Sequence, residues 1–172
     1  MAYFADLTPY TDKPYPPYEI YWQKAVSWEW LKGKTPMSFR REELKKFPAL
    51  NIGWLNPAEH SIPTATPSKE FLNALHFLCA TGDGWRLVSC NHTLGWHPCP
   101  FIALKQCIRN PVQWGYEDEG GASEIYVVGE GVVYMAPDMI YHYVKAHGYA
   151  PPEEFVKAVL QISLPENLKE DV

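Results

Sequence analysis

The stretch Tyr134–Leu160, YMAPDMIYHYVKAHGYAPPEEFVKAVL, is the most heavily punctuated part of the chain and limits it more than any other. Pro137 suits the first turn of a helix, where its missing N–H has no partner to lose, and Asp138 suits the positive end of the helix dipole. Met139, Ile140, Tyr143, Val144 and His147 recur at helical spacing and make one mostly apolar face. Gly148 follows as the residue that stops a helix in the left-handed conformation. Pro151 and Pro152 open a second helix, with Glu153 and Glu154 in its first turn and Phe155, Ala158 and Val159 facing inward. Two short helices joined so tightly must turn sharply.

The strands of a sheet are also legible. Residues 124–128 and 132–135 read as a hairpin around the Gly129–Gly131 turn. NIGWL at 51–55 reads as a buried strand and RLVSC at 86–90 as a short one, while 19–31 alternates Val26, Trp28 and Trp30 against Ser27 and Glu29. Thr66 suits an N-cap, with Pro67 at the first position of a helix that buries Phe71, Leu72, Leu75, Leu78 and Cys79. Residues 38–47 read as a charged helix whose Arg40, Arg41, Lys45 and Lys46 form a solvated face. The expected fold class is α+β. A small, mainly antiparallel sheet of four or five strands packs with about three helices, near 68–80, 137–147 and 151–161. Sixteen prolines imply long ordered loops. A length of 172 residues fits a single domain. Residues 1–20 form an extended arm rich in proline and tyrosine, and 166–172 form a frayed tail.

Charge narrows the partners. Fifteen basic and twenty acidic residues give a formal charge of −5, which argues against binding nucleic acid or an anionic membrane. No apolar run approaches the ~20 residues that span a bilayer, and the N-terminus lacks a signal-peptide pattern, so a cytoplasmic protein with reduced thiols is expected.

All four cysteines and three of the six histidines fall within residues 76–107. Zinc takes imidazole and thiolate in groups of four, so Cys90, His92, His97 and Cys99 are candidate ligands. The alternative is a metal-free loop packed by Trp96 and Phe101, favoured by the lack of a Cys-x-x-Cys pair. Cys79 and Cys107 read as small buried thiols in apolar company. His142 and His147 stand about 140° apart round a helix of 3.6 residues per turn, which argues against a ligand pair from one face. His147 then serves the dipole at the helix C-terminus. Signatures of metalloproteases, serine hydrolases, phosphate loops and dinucleotide sites are all missing, Gly33-Lys34-Thr35 included. A nucleophilic Cys99 would have His92 and His97 close in sequence, but the base and orienting group it needs cannot be placed from sequence.

Several blocks nevertheless form a recognisable set: FADLTPY at 4–10, NIGWL at 51–55, GWHPCPF at 95–101, GASEIYVVGEG at 121–131 and YMAPDMIYHYVKAHGYAPPEEFVKAV at 134–159. They resemble a family of small bacterial proteins of unknown function. In that family the central block reads Gly-x-His-x-Cys-x-x-Cys, which implies a metal-binding knuckle. His97 and Cys99 match it, and Ile102 stands where the last cysteine would be. The resemblance implies that Cys90, Cys107 or His142 would complete a ligand shell, and it implies no reaction.

The leading functional expectation is a protein-binding protein, an immunity protein that neutralises a basic toxin encoded by an adjacent gene. Trp114, Tyr116, Glu117, Asp118, Glu119 and Glu124 are the expected contact residues, combining aromatic anchors with an acidic loop. The alternative is a structural zinc module or a metal-dependent enzyme centred on Cys90–Cys99.

Overall fold

A computed structural model describes residues 3–10, 47–79, 88–90, 97–107 and 121–162. The strand expected at 19–31, the charged helix at 38–47 except its last residue, the acidic run 117–119 and the tail 166–172 lie outside these residues.

The architecture is α+β. Strand β1 spans Ala49–Asn51, helix α1 Lys69–Cys79, β2 Ser89–Cys90, β3 Glu124–Gly129, β4 Val132–Pro137, α2 Ile140–His147 and α3 Glu153–Leu160. The sheet order is β1-β4-β3-β2. β4 runs parallel to β1, with Ala49 opposite Val133, and antiparallel to β3, with Glu124 opposite Pro137. β2 closes the other edge antiparallel to β3. Two of the three pairings are therefore antiparallel, as the hairpin pattern predicts. α3 lies against β3, and α1 against α2 and α3. Ile52, Leu75, Leu78, Ile125, Val127, Tyr143 and Phe155 sit at the centre of one shared core.

Several boundaries differ from the sequence reading, each for a local reason. The strand near 51 ends where it was expected to begin, because Gly53 turns the chain with φ of +72°. The N-cap of α1 is Ser68 rather than Thr66: its hydroxyl accepts the Phe71 N–H at 3.2 Å. Pro137 ends β4 instead of opening α2, since it still pairs with Glu124 across the sheet. Asp138, two residues before α2, is 2 % exposed, and its carboxylate accepts from the segment 121–123.

Residues 3–10 run beside β1. Leu7 N–H donates to Asn51 O at 2.8 Å and Tyr10 N–H to Ala49 O at 2.8 Å, and the Asn51 amide reaches back to Pro9 O at 2.9 Å. The buried Asn51 is thus paired from both strands, as a buried amide must be.

Candidate metal centre

The site grows from two local structures. The first is a knuckle from Cys99 to Cys107. Pro100 fixes the backbone for a 3-10 helix, Pro100–Leu104, and the Ile102 N–H donates to Cys99 O at 3.1 Å. Lys105 then takes φ of +56°, its N–H returning to Ile102 O at 2.9 Å, and Gln106 N–H bonds Phe101 O at 3.1 Å. This left-handed stop reverses the chain, so that Cys107 comes back beside Cys99. Buried Phe101 and half-buried Ile102 key the knuckle into the core.

The second structure is α2. Its first turn is buried on nearly all sides, through Ile140, Tyr141, His142, Tyr143 and Val144. Gly148 terminates it with φ of +66°, and the Gly148 and Tyr149 N–H groups both close on Tyr143 O. That stop leaves His147 as the last helical residue, half-buried and stacked on Phe101 with ring centroids 4.0 Å apart and planes 7° from parallel. His142 is 3 % exposed, and its ring stands at 78° to that of His147.

Knuckle and helix converge on one point. Cys99 Sγ lies 3.3 Å from His147 Nε2, Cys107 Sγ 3.6 Å from His142 Nε2, and the two Nε2 atoms 3.2 Å from each other. All four ligand atoms lie within 4.8 Å of one another. A tetrahedron with Zn–N of about 2.05 Å and Zn–S of about 2.3 Å has N–N, N–S and S–S edges of about 3.3, ~3.6 and ~3.8 Å. The N–N separation of 3.2 Å and the N–S separations of 3.3 and 3.6 Å lie near those edges.

Hydrogen bonding alone fits the arrangement poorly. An imidazole Nε2 carries either one proton or one lone pair, in the ring plane. Here each Nε2 has two close partners, a thiol and the other imidazole, and can satisfy only one. A cation at the centre would take all four lone pairs together. The set therefore fits a metal, and its thiolate–imidazole chemistry suits zinc rather than calcium or magnesium. Nearby, Tyr143 is held neutral well above the ordinary tyrosine range, first by burial and then by the negative charges of Cys99 and Asp138.

Of the sequence candidates, Cys99 and His142 belong to this cluster. His97 does not: its side chain is exposed, and its main-chain N–H donates to Gly121 O at 2.6 Å. Cys90 pairs through its backbone with Glu124 in the sheet, its side chain lying outside the described residues together with all of His92. Cys107 and His147 take the remaining two positions. Cys107 was read as a buried thiol beside Leu104 and as one way to complete the shell, and it supplies the thiolate missing at Ile102. His147 was set aside on angular grounds. The 140° separates the Cα positions, whereas the two rings reach round the helix to a common point off its axis.

Cys79 takes no part. Burial in α1, with the Asp138 charge second, pushes its thiol well up, as for an inert core cysteine. Among the expected partner contacts, Trp114, Tyr116, Glu117, Asp118 and Glu119 lie outside the described residues. Glu124 corrects the reading of an open acidic loop. It is 6 % exposed within β3, and its carboxylate accepts the Tyr10 hydroxyl at 2.7 Å.

No helix among the described residues is long and apolar enough to cross a membrane. Comparison with curated proteins and with solved structures gives no match. A family model, that of the domain of unknown function DUF7919, matches residues 2–160, which include both cysteines of the knuckle and both histidines of α2. The chain belongs to the DUF7919 family.

Proposed function

We propose that this is a zinc protein in which one Zn2+, held by Cys99, Cys107, His142 and His147, staples the knuckle to α2. The supporting observation is that the ligand atoms of two thiols and two imidazoles converge within 4.8 Å of one another, with each Nε2 facing two partners at once. Four protein ligands fill a tetrahedral shell and leave no place for water or substrate, so the role is structural rather than catalytic. Protein purified without chelator should carry about one zinc per chain by elemental analysis, and Cys107→Ser or His147→Ala should carry little. Zinc below about a tenth of an equivalent in protein that also fails to take up added zinc would refute a tight site.

A stapled scaffold suits a binding role, and the reading as an immunity protein against a basic toxin stands as the proposal for that role. Its support is the charge of −5, the 15 % aromatic content and the closed form of the metal set. Co-purification with the product of an adjacent gene is the test; a neighbour that neither binds nor is toxic would remove it.

A further inference from the structure

Asp138 is a buried carboxylate with no place in the ligand set. It stands between β4 and α2, two residues before the helix that carries both histidines, and is 2 % exposed. Its Oδ1 accepts the Gly121 N–H at 2.6 Å and its Oδ2 the Ser123 hydroxyl at 2.5 Å, while its own N–H donates to Ser123 O at 3.1 Å. Gly121 is held from the other side as well. Its carbonyl accepts the His97 N–H at 2.6 Å, and His97 is two residues from Cys99. Gly121 has φ of +138°, a conformation that residues with a Cβ rarely adopt, so both its peptide groups can be gripped at once.

A continuous path therefore runs from the histidine helix through Asp138, Gly121 and His97 to the first cysteine of the knuckle. We propose that Asp138 is a positioning residue of the metal centre, setting the distance between the cysteine knuckle and the histidine helix. This rests on the zinc reading above. A carboxylate suits the task because it can accept from an amide and a hydroxyl together, and charge-assisted bonds of this length are the strong kind. Groups that orient ligands commonly contribute about 10–100-fold to metal affinity.

A second carboxylate bracket supplies the control. Asp6 accepts the Gly53 N–H at 2.8 Å and the Tyr149 hydroxyl at 2.7 Å, tying the chain just beyond α2 without touching the segment that leads to Cys99. The wild-type chain is titrated first, with Zn2+ against a competing chelator and with Co2+, whose absorption bands report tetrahedral geometry. One-equivalent binding there separates failure of the metal site from failure of the positioning claim. Asp138→Ala should then lower metal affinity by about 10–100-fold and shift the Co2+ bands. Asp138→Asn, which still accepts from Gly121 and can donate to the Ser123 oxygen, should restore much of the loss. Ser123→Ala should move affinity in the same direction by less, and stands in if Asp138→Ala does not fold. Asp6→Asn should lower the unfolding midpoint and leave both metal readouts unchanged. Unchanged affinity and bands in Asp138→Ala, or in Ser123→Ala in its place, would overturn the proposal, as would equal shifts in Asp6→Asn. A wild-type chain that binds no metal would overturn the zinc reading and this inference with it.

Discussion

Two of the polar ties between α2 and distant parts of the chain differ in kind. Beyond its C-terminus, Tyr149 donates to Asp6, which also accepts from Gly53. Both donors meet an acceptor, and the bracket is complete with protein atoms alone. On its other flank, His142 and His147 face Cys99 and Cys107, and there only lone pairs and ambiguous protons meet. The first tie is finished on folding; on the proposed zinc reading, the second would gain most of its strength from the cation. The contrast distinguishes a buried polar cluster that belongs to the scaffold from one that implies a guest.

Removing the metal should break this contrast most visibly. Structural zinc sites in small modules contribute about 10–16 kcal/mol of apparent binding energy, part of which appears as folding stability. Chelator should lower the unfolding temperature of the wild-type chain sharply, whereas His142→Ala should start low and show no further response. A mutant that still loses stability on chelation would place the metal elsewhere.

The Asp6 bracket should respond to alkali instead of chelator. Burial first, and then the Asp6 charge, hold Tyr149 neutral far above its ordinary range. The folded pKa therefore exceeds the unfolded value of about 10, so the stabilisation is complete below about pH 10 and is lost as pH rises beyond it. Tyr149→Phe should lose about 1–2 kcal/mol at neutral pH, from the Asp6 oxygen it leaves without its donor. The variant should also unfold less steeply with rising pH, while retaining its zinc. Denaturant unfolding at pH 7 and at pH 10.5 measures both effects.

How much of this was legible from sequence depended on whether the signal was local. The Glu124–Pro137 hairpin, α1 and the stop at Gly148 rest on period and punctuation within a few residues, and they emerge from the sequence within a turn or so. The metal set does not work that way. Its members arrive from residues 99–107 and 142–147, brought together by a left-handed turn at Lys105 that nothing in CPFIALKQC announces. A search for short spacings draws in His97 and Cys90, which are near Cys99 in sequence, and passes over Cys107. The usable hint was His142, a polar residue within a helix turn otherwise buried by apolar side chains. Asp138 is legible only in part for a related reason: at a helix start a carboxylate suits the dipole, and only the fold reveals the Gly121 amide and Ser123 hydroxyl that it accepts from.

The smallest effect expected is the most discriminating about how the histidines are held. A Cβ at Gly148 would meet nothing closer than Ala65 O at 3.7 Å, so Gly148→Ala introduces no clash. Its cost comes from the backbone alone, at about 1 kcal/mol for a side chain in the left-handed region. His147 precedes it directly, yet its ring is fixed by stacking on Phe101 and by its place in the cluster, not by the turn. Gly148→Ala should therefore lower thermal stability slightly while zinc content and affinity stay at wild-type values. If instead the metal is lost, the helix stop and not the ring stack governs where Nε2 points. The centre would then depend on the same local punctuation that makes this stretch so readable.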